Sequence, residues 1–227
     1  MTPTLGGFAL EQWRAAVTEK QRYEKGRWQR HIVIRGAADT FETSAQLTEA
    51  LDALAGAALA PEPVLLRLRP ERSVAVRLRG FERTRNDDAI AGAFTLELEG
   101  LTPWEEGDDI QTHEEAVVGN GAVCEIASGG SLITPLSLTF TASGLVLLPQ
   151  FSDGMRTLSY AGMIPDGAAL DVDSVARKVF LNGADVSSQA SGEFLEIAPQ
   201  PTTVSFAADE DGAQAGALAL RWRERWL

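Results

Sequence analysis

Three segments of this chain alternate apolar and charged residues with a period of two, and that pattern limits the fold more than any other feature. In VLLRLR (64–69), Val64, Leu66 and Leu68 alternate with Arg67 and Arg69. In VAVRLRG (74–80), Val74, Val76 and Leu78 alternate with Arg77 and Arg79, and in AFTLELEG (93–100), Phe94, Leu96 and Leu98 alternate with Thr95, Glu97 and Glu99. Successive side chains of a strand point to opposite faces, so each segment reads as a strand with one buried and one polar face. Antiparallel neighbours must bury the same face, because a one-residue slip turns every side chain over. Pairing Arg69 with Ser73 across Pro70-Glu71-Arg72 sets Leu68 against Val74 and Leu66 against Val76. An even loop sets arginines against valines, so an odd loop length is expected. The acids of the third strand are expected beside the arginines, where they offset the charge.

Other segments extend this picture. WQRHIVIR (28–35) reads as a strand that ends at Gly36. Thr43–Leu59 is the one long helix, with Leu47, Leu51, Leu54 and Ala58 on one face. Thr43 and Gln46 resemble a capping box, and Gly56 with the Pro61–Pro63 pair marks the end. Residues 8–27 are left unassigned: Leu10, Trp13 and Val17 have helical spacing, but the stretch also suits an arm gripping a neighbour. The acidic run from Glu105 to Glu115 reads as a solvated junction.

Beyond residue 112 the pattern becomes short strands with turn signals every 8–12 residues. They lie near 115–126, 135–142, 145–150, 155–160, 169–173, 177–181, 193–197, 202–207 and 216–224. Asn182-Gly183 is a strong tight-turn signal. In the last strand Leu218, Leu220 and Trp222 alternate with Arg221 and Arg223. The expected architecture is an α+β N-terminal domain, 1–111, with an antiparallel sheet and one helix, followed by an all-β sandwich, 112–227.

Composition narrows the function. The 227 residues carry 20 bases and 32 acids, a net charge of -12, which argues against general nucleic-acid binding. The single cysteine, Cys124, excludes a disulfide framework and a Cys-based zinc site; it reads as a small buried hydrophobe. No apolar stretch is long enough to span a membrane as a helix, and MTPTLGGFALEQW reads as no signal peptide. No GxSxG, HExxH or P-loop is present. The catalytic option left open is a carboxylate pair, Asp171 and Asp173, but alternation already explains both as outward residues. No catalytic, cofactor or metal residue is therefore assigned. The five tryptophans, Trp13, Trp28, Trp104, Trp222 and Trp226, raise a sugar-stacking reading; Trp222 falls in core phase, Trp104 follows Pro103 at a domain junction, and Trp226 reads as an exposed anchor. The strongest surface feature is the arginine stripe Arg67, Arg69, Arg77 and Arg79, continued by Arg83 and Arg85. It reads either as a solvated face or as an interface with an acidic partner, a second copy of the chain included.

Several motifs occur in order over the last seventy residues. They are Tyr160-Ala161-Gly162, the segment Gly167 to Asp173, the hairpin Val179 to Val186 around Asn182-Gly183, the segment Gly192 to Gln200, the strand at Val204-Ser205-Phe206, and Trp222-Arg223-Glu224-Arg225. This run resembles the C-terminal domain of distal tail proteins of siphovirus-type bacteriophages, with Gln200-Pro201 where the family usually has Gly. In the first half, Leu101-Thr102-Pro103-Trp104 resembles the aromatic segment that closes the family's first domain, with Thr102 in place of Asp. The resemblance implies a structural virion protein and no enzyme or cofactor. Its first domain would build a ring, commonly a hexamer, around the tail channel, and its second would be a galectin-like β-sandwich projecting outward. Implied partners are other copies of itself, the tail tube protein, and tail-tip, baseplate or receptor-binding components. The implied location is the virion tail tip after assembly in the host cytoplasm. The alternative is a carbohydrate-binding or lectin-like module; a glycosidase ranks third.

Overall fold

The computed structural model describes residues 3–60 and 63–227. Strands make up 55% of the described residues, which hold a single α-helix, so the fold is mostly β. The chain divides into two units, Met1–Asp108 with Leu227, and Asp109–Trp226.

The first unit comprises β1 (Thr4–Leu5), β2 (Phe8–Ala9), β3 (Ala16–Glu24), β4 (Arg27–Ala38), α1 (Ser44–Ala58), β5 (Val64–Arg69), β6 (Arg72–Asn86), β7 (Ala91–Gly100) and β8 (Glu105–Gly107). Its main sheet runs β2-β1-β5-β6-β7-β4-β3 with antiparallel neighbours, and β8 pairs with the start of β6. One face of this sheet buries Ile32, Ile34, Leu66, Val74, Val76, Phe94, Leu96 and Leu98 in a single core. The helix lays Leu47, Leu51, Leu54 and Ala58 on the same core, the four residues that its periodicity selects. The Thr43 hydroxyl accepts from the Gln46 amide at 3.2 Å. The Gln46 side chain accepts in return from the Glu42 amide, one residue earlier than a reciprocal capping box. The helix passes through Gly56 to Ala58; Pro61 lies outside the described residues.

The β5–β6 connection corrects the odd-loop expectation. Arg69 pairs with Arg72, so only Pro70 and Glu71 turn, with Glu71 at φ 61°. Burial is preserved by another route. The register shifts between Leu66 and Arg69, which places Leu66 opposite Val74 and Val64 opposite Val76. A bulge adds one residue to one strand and so repairs the parity that the short turn breaks. A second shift lies between Leu78 and Gly80, where β6 meets β7.

Two further expectations change. Strand β4 continues through Gly36 to Ala38. A Cβ at Gly36 would sit 2.4 Å from the Phe94 ring and 3.0 Å from the Trp13 side chain. Glycine here makes room for core aromatics and does not stop the strand. Residues 8–27 hold β2, a 3-10 turn at Glu11–Trp13 that buries Trp13, and the strand β3. The β3–β4 hairpin turns at Lys25 and Gly26, with φ 53° and 75°, the left-handed pair of a tight hairpin turn.

The second unit holds β9 (Gln111–Val117), β10 (Gly121–Ile126), β11 (Thr134–Pro135), β12 (Ser137–Ala142), β13 (Val146–Leu147), β14 (Gln150–Ser152), β15 (Thr157–Tyr160), β16 (Met163–Ile164), β17 (Ala169–Asp173), β18 (Lys178–Leu181), β19 (Ala184–Asp185), β20 (Ala190–Gly192), β21 (Glu196–Ile197), β22 (Thr202–Ala207) and β23 (Gly216–Trp222). Two antiparallel sheets, β10-β22-β14-β15-β20 and β19-β18-β17-β12-β23-β9, share one core and form a β-sandwich. Phe140 of the second sheet meets Phe151 and Phe206 of the first at ring separations of 5.6 and 4.9 Å. The strand expected over 115–126 is two strands, broken at 118–120. Asn182 and Gly183 turn with φ 47° and 82°, as the tight-turn signal requires.

Two alanine substitutions of glycine should act in opposite directions. Gly36→Ala is expected to destabilise by about 1–3 kcal/mol, the cost of overpacking. Gly56→Ala, with open space around its Cβ position, is expected to stabilise by roughly 0.5–1 kcal/mol. Urea unfolding of the two variants against the parent checks the signs.

Candidate functional site

Three of the four candidate arginines are tied to acids of their own unit. Arg67 reaches Asp108 at 2.6 Å, Arg69 bonds Glu105, and Arg79 bonds Glu99. Asp108 is held further by the Ser73 hydroxyl at 3.0 Å. The Arg79–Glu99 pair is the offset expected between the second and third alternating strands. Arg77 is opposite Glu99 in the ladder, but among the described residues it has no ion pair. The two bulges of β5 and β6 also interrupt the alternation, so the arginines do not form one unbroken stripe. Further along β6, Arg83 pairs with Asp52 of the helix, and Arg85 with Asp87. The Ser44 hydroxyl first, and then Arg85, hold the Asp87 carboxyl below its ordinary value.

The acidic run corrects its reading as a solvated junction. Glu105 is buried, as is Arg30. Arg30 Nη2 lies 2.8 Å from Glu105 and 2.6 Å from Glu19. Arg69 adds a second guanidinium to Glu105, and Arg72 lies 3.5 Å away. Gly100 is opposite Arg30 in the ladder, and a Cβ there would come within 2.9 Å of the arginine stem. The absent side chain makes room for this buried cation. Sequence reasoning passed over Arg30, although the signal was present: it is in phase with Ile32 and Ile34, on the face that is buried. Pro103 and Trp104 lie beside this network, in the loop before β8. The Pro103 carbonyl accepts from Arg30 at 3.4 Å, and the Trp104 indole donates to Glu106 at 3.4 Å.

In the second unit the two candidate carboxylates, Asp171 and Asp173, are committed to local bonds. Asp171 accepts from the Thr139 hydroxyl at 2.5 Å, and Asp173 accepts from the amides of Val175 and Ala176. Among the described residues no three His, Cys, Asp or Glu side chains are grouped to hold a metal ion. Cys124 is half-buried, not fully buried, and packs against the core. Burial first, and then the Glu115 charge, push its thiol up. Of the tryptophans, Trp13 is fully buried and Trp28 is exposed. Trp104, Trp222 and Trp226 are half-buried, which corrects the exposed-anchor reading of Trp226. The exposed aromatics among the described residues, Tyr23 and Trp28, both belong to the first unit.

No protein-family profile matches this chain, and no curated protein matches it. A solved structure does: the Dit protein (gp 19.1) of SPP1, described as a paradigm of the hub adsorption apparatus in phages that infect Gram-positive hosts. The two share a TM-score of 0.68 at 14% identity, over 100% of this chain and 99% of that one. The chain has the fold of a phage distal tail protein. The resemblance read from the sequence motifs is thus met in three dimensions over the whole length.

Two side-chain tests follow from this geometry. Glu105→Gln should cost about 3 kcal/mol, because it strands buried guanidinium charge. Arg69→Gln, whose side chain is 46% exposed, should cost about 1 kcal/mol or less. Denaturant titration gives the order. Cys124 should alkylate more slowly than a free thiol at pH 8, with its rate rising only at higher pH, because the thiolate is disfavoured by burial; a maleimide rate profile against pH measures this.

Proposed function

We propose that this chain is a structural virion protein, a distal tail adaptor. It closes into a ring that joins the tail tube to the tip or baseplate and to host-recognition components. The shared fold with SPP1 Dit over the full length carries this reading. Residues 1–111 act as the ring-forming tail domain. Residues 112–227 act as a galectin-like sandwich that docks outer components. The ring is a homo-oligomer, a hexamer by family resemblance, assembled in the host cytoplasm and carried at the virion tail tip. Its work is assembly, and no residue is assigned to catalysis or to a cofactor.

Within this reading, Arg77 is the candidate arginine best placed to meet a neighbouring subunit or the channel, because it is exposed and has no ion pair among the described residues. Arg67, Arg69 and Arg79 are largely neutralised within their own unit and contribute to holding the sheet. Pro103 and Trp104 act at the domain junction. The carbohydrate-binding reading gains little from the second unit, whose tryptophans, Trp222 and Trp226, are half-buried.

Light scattering with negative-stain imaging of the purified chain tests the proposal. A closed ring with a central hole is the expected result. A monomer at every concentration overturns self-assembly. In ring-forming protein, Arg77→Glu should weaken assembly more than Arg67→Glu, since Arg67 already has Asp108 as partner.

A further inference from the structure

The β3–β4 hairpin ends in two exposed aromatic residues. Tyr23 and Trp28 are cross-strand partners, with rings 5.3 Å apart. They are 61% and 49% exposed on either side of the Lys25-Gly26 turn. Residues 20–28 carry four bases, Lys20, Arg22, Lys25 and Arg27, against Glu24 alone, so this tip is +3 on a chain of net charge -12. Lys25 and Arg27 have no ion pair among the described residues. The tip is a basic knob with an aromatic face.

The same unit holds a feature of opposite character. A shallow groove of about 510 Å³ runs beside α1, with Phe41, Ala50 and Ala53 as its apolar lining and Glu42 and Glu49 as acids. Both acids are exposed, and neither has an ion pair among the described residues. Phe41 is supported from beneath by Trp13, at a ring separation of 5.4 Å. A lysine or arginine stem over an aromatic floor, with its charged head on a carboxylate, is a favourable contact.

The knob cannot reach its own groove. Trp28 and Ala38 are at opposite ends of β4, ten residues apart, or roughly 33 Å at strand rise. The groove belongs to the Ala38 end: Phe41 follows that strand, and Trp13, beneath Phe41, packs on Gly36. Complementary surfaces at opposite ends of one rigid strand can meet only between molecules. A contact of that kind is head-to-tail, and repetition closes it into a ring when the rotation permits.

We infer that the Tyr23–Trp28 hairpin tip of one copy docks into the Phe41–Glu42–Glu49 groove of a second copy. This inference rests on the ring-forming reading above and names the contact that closes the ring. Aromatic burial supplies the attraction, and the pairing of Lys25 and Arg27 with Glu42 and Glu49 fixes direction.

Charge exchange tests it in the full chain. One variant carries Lys25→Glu and Arg27→Glu, and the other carries Glu42→Lys and Glu49→Lys. Each alone sets like charges across the contact and should raise the concentration for assembly by about tenfold or more. Mixed in equal amounts, each interface again pairs opposite charges, and rings should return. Unchanged circular dichroism confirms that both variants are folded. Tyr23→Ser with Trp28→Ser should weaken assembly whatever the salt concentration. If the parent forms rings and both charge variants do so equally well alone, this contact is wrong and the ring reading stands. Folded variants that fail alone and also fail when mixed overturn the direct pairing. A parent chain that never assembles overturns the ring reading and this inference together.

Discussion

A strand has two faces, and in each unit of this chain the core takes one of them. That constraint governs more of the structure than any single contact. Leu66, Val74, Val76, Leu96 and Leu98 come from three strands and bury on one side. Leu138, Phe140, Leu170, Leu218 and Leu220 do the same in the sandwich. Loop length is subordinate to this requirement. The two-residue turn at Pro70-Glu71 would by itself put arginine against valine, and the chain answers with a bulge between Leu66 and Arg69. The penalty for exposing a whole hydrophobic row and burying arginines far exceeds the loss of one ladder bond. A bulge is therefore the smaller concession.

This explains which features were legible in the sequence. Periodicity reports burial directly, so the helix face, the three alternating strands and the Leu218–Leu220 phase were readable. The turn at Asn182-Gly183 was readable because its dihedral angles are a local matter. Features set by a distant partner were not. Gly36 looks like a strand terminator until Phe94 and Trp13 are packed against it. Residues 105–115 look like a solvated linker because composition counts acids but does not see the guanidinium groups around Glu105. The odd-loop inference failed because it assumed an unbroken ladder. The candidate site was legible as residue type and only partly as role: the arginines were found, but their internal acids were not.

Arg30 shows where the two kinds of information meet. Its phase with Ile32 and Ile34 demands burial, and its charge forbids burial without partners. Three conditions reconcile them. Gly100 leaves space for the arginine stem, Glu105 and Glu19 supply charge, and the Pro103 carbonyl takes a remaining donor. A buried pair of this sort adds little net stability compared with apolar packing, but losing one member is costly. Its effect here is positional. It fastens the segment 103–105 to β4, together with the arginines at the β5–β6 turn.

Net charge is a poor guide to where such a chain meets its neighbours. The total is -12, yet the arginines of β5 and β6 are mostly matched within the fold. A matched pair has already exchanged water for a partner and has little left to gain from another molecule. Unmatched charges beside exposed aromatic or apolar surface are different, because association can desolvate both together. The first unit has such groups at two places, the hairpin tip and the α1 groove, and they are opposite in sign and in shape. At 14% identity to SPP1 Dit, the fold persists while individual residues do not. A shared fold does not carry surface contacts with it, so complementary surfaces are a property of each chain's own residues. Contacts with other molecules are therefore better sought among the charges that this chain leaves unmatched than among positions borrowed from a structural neighbour.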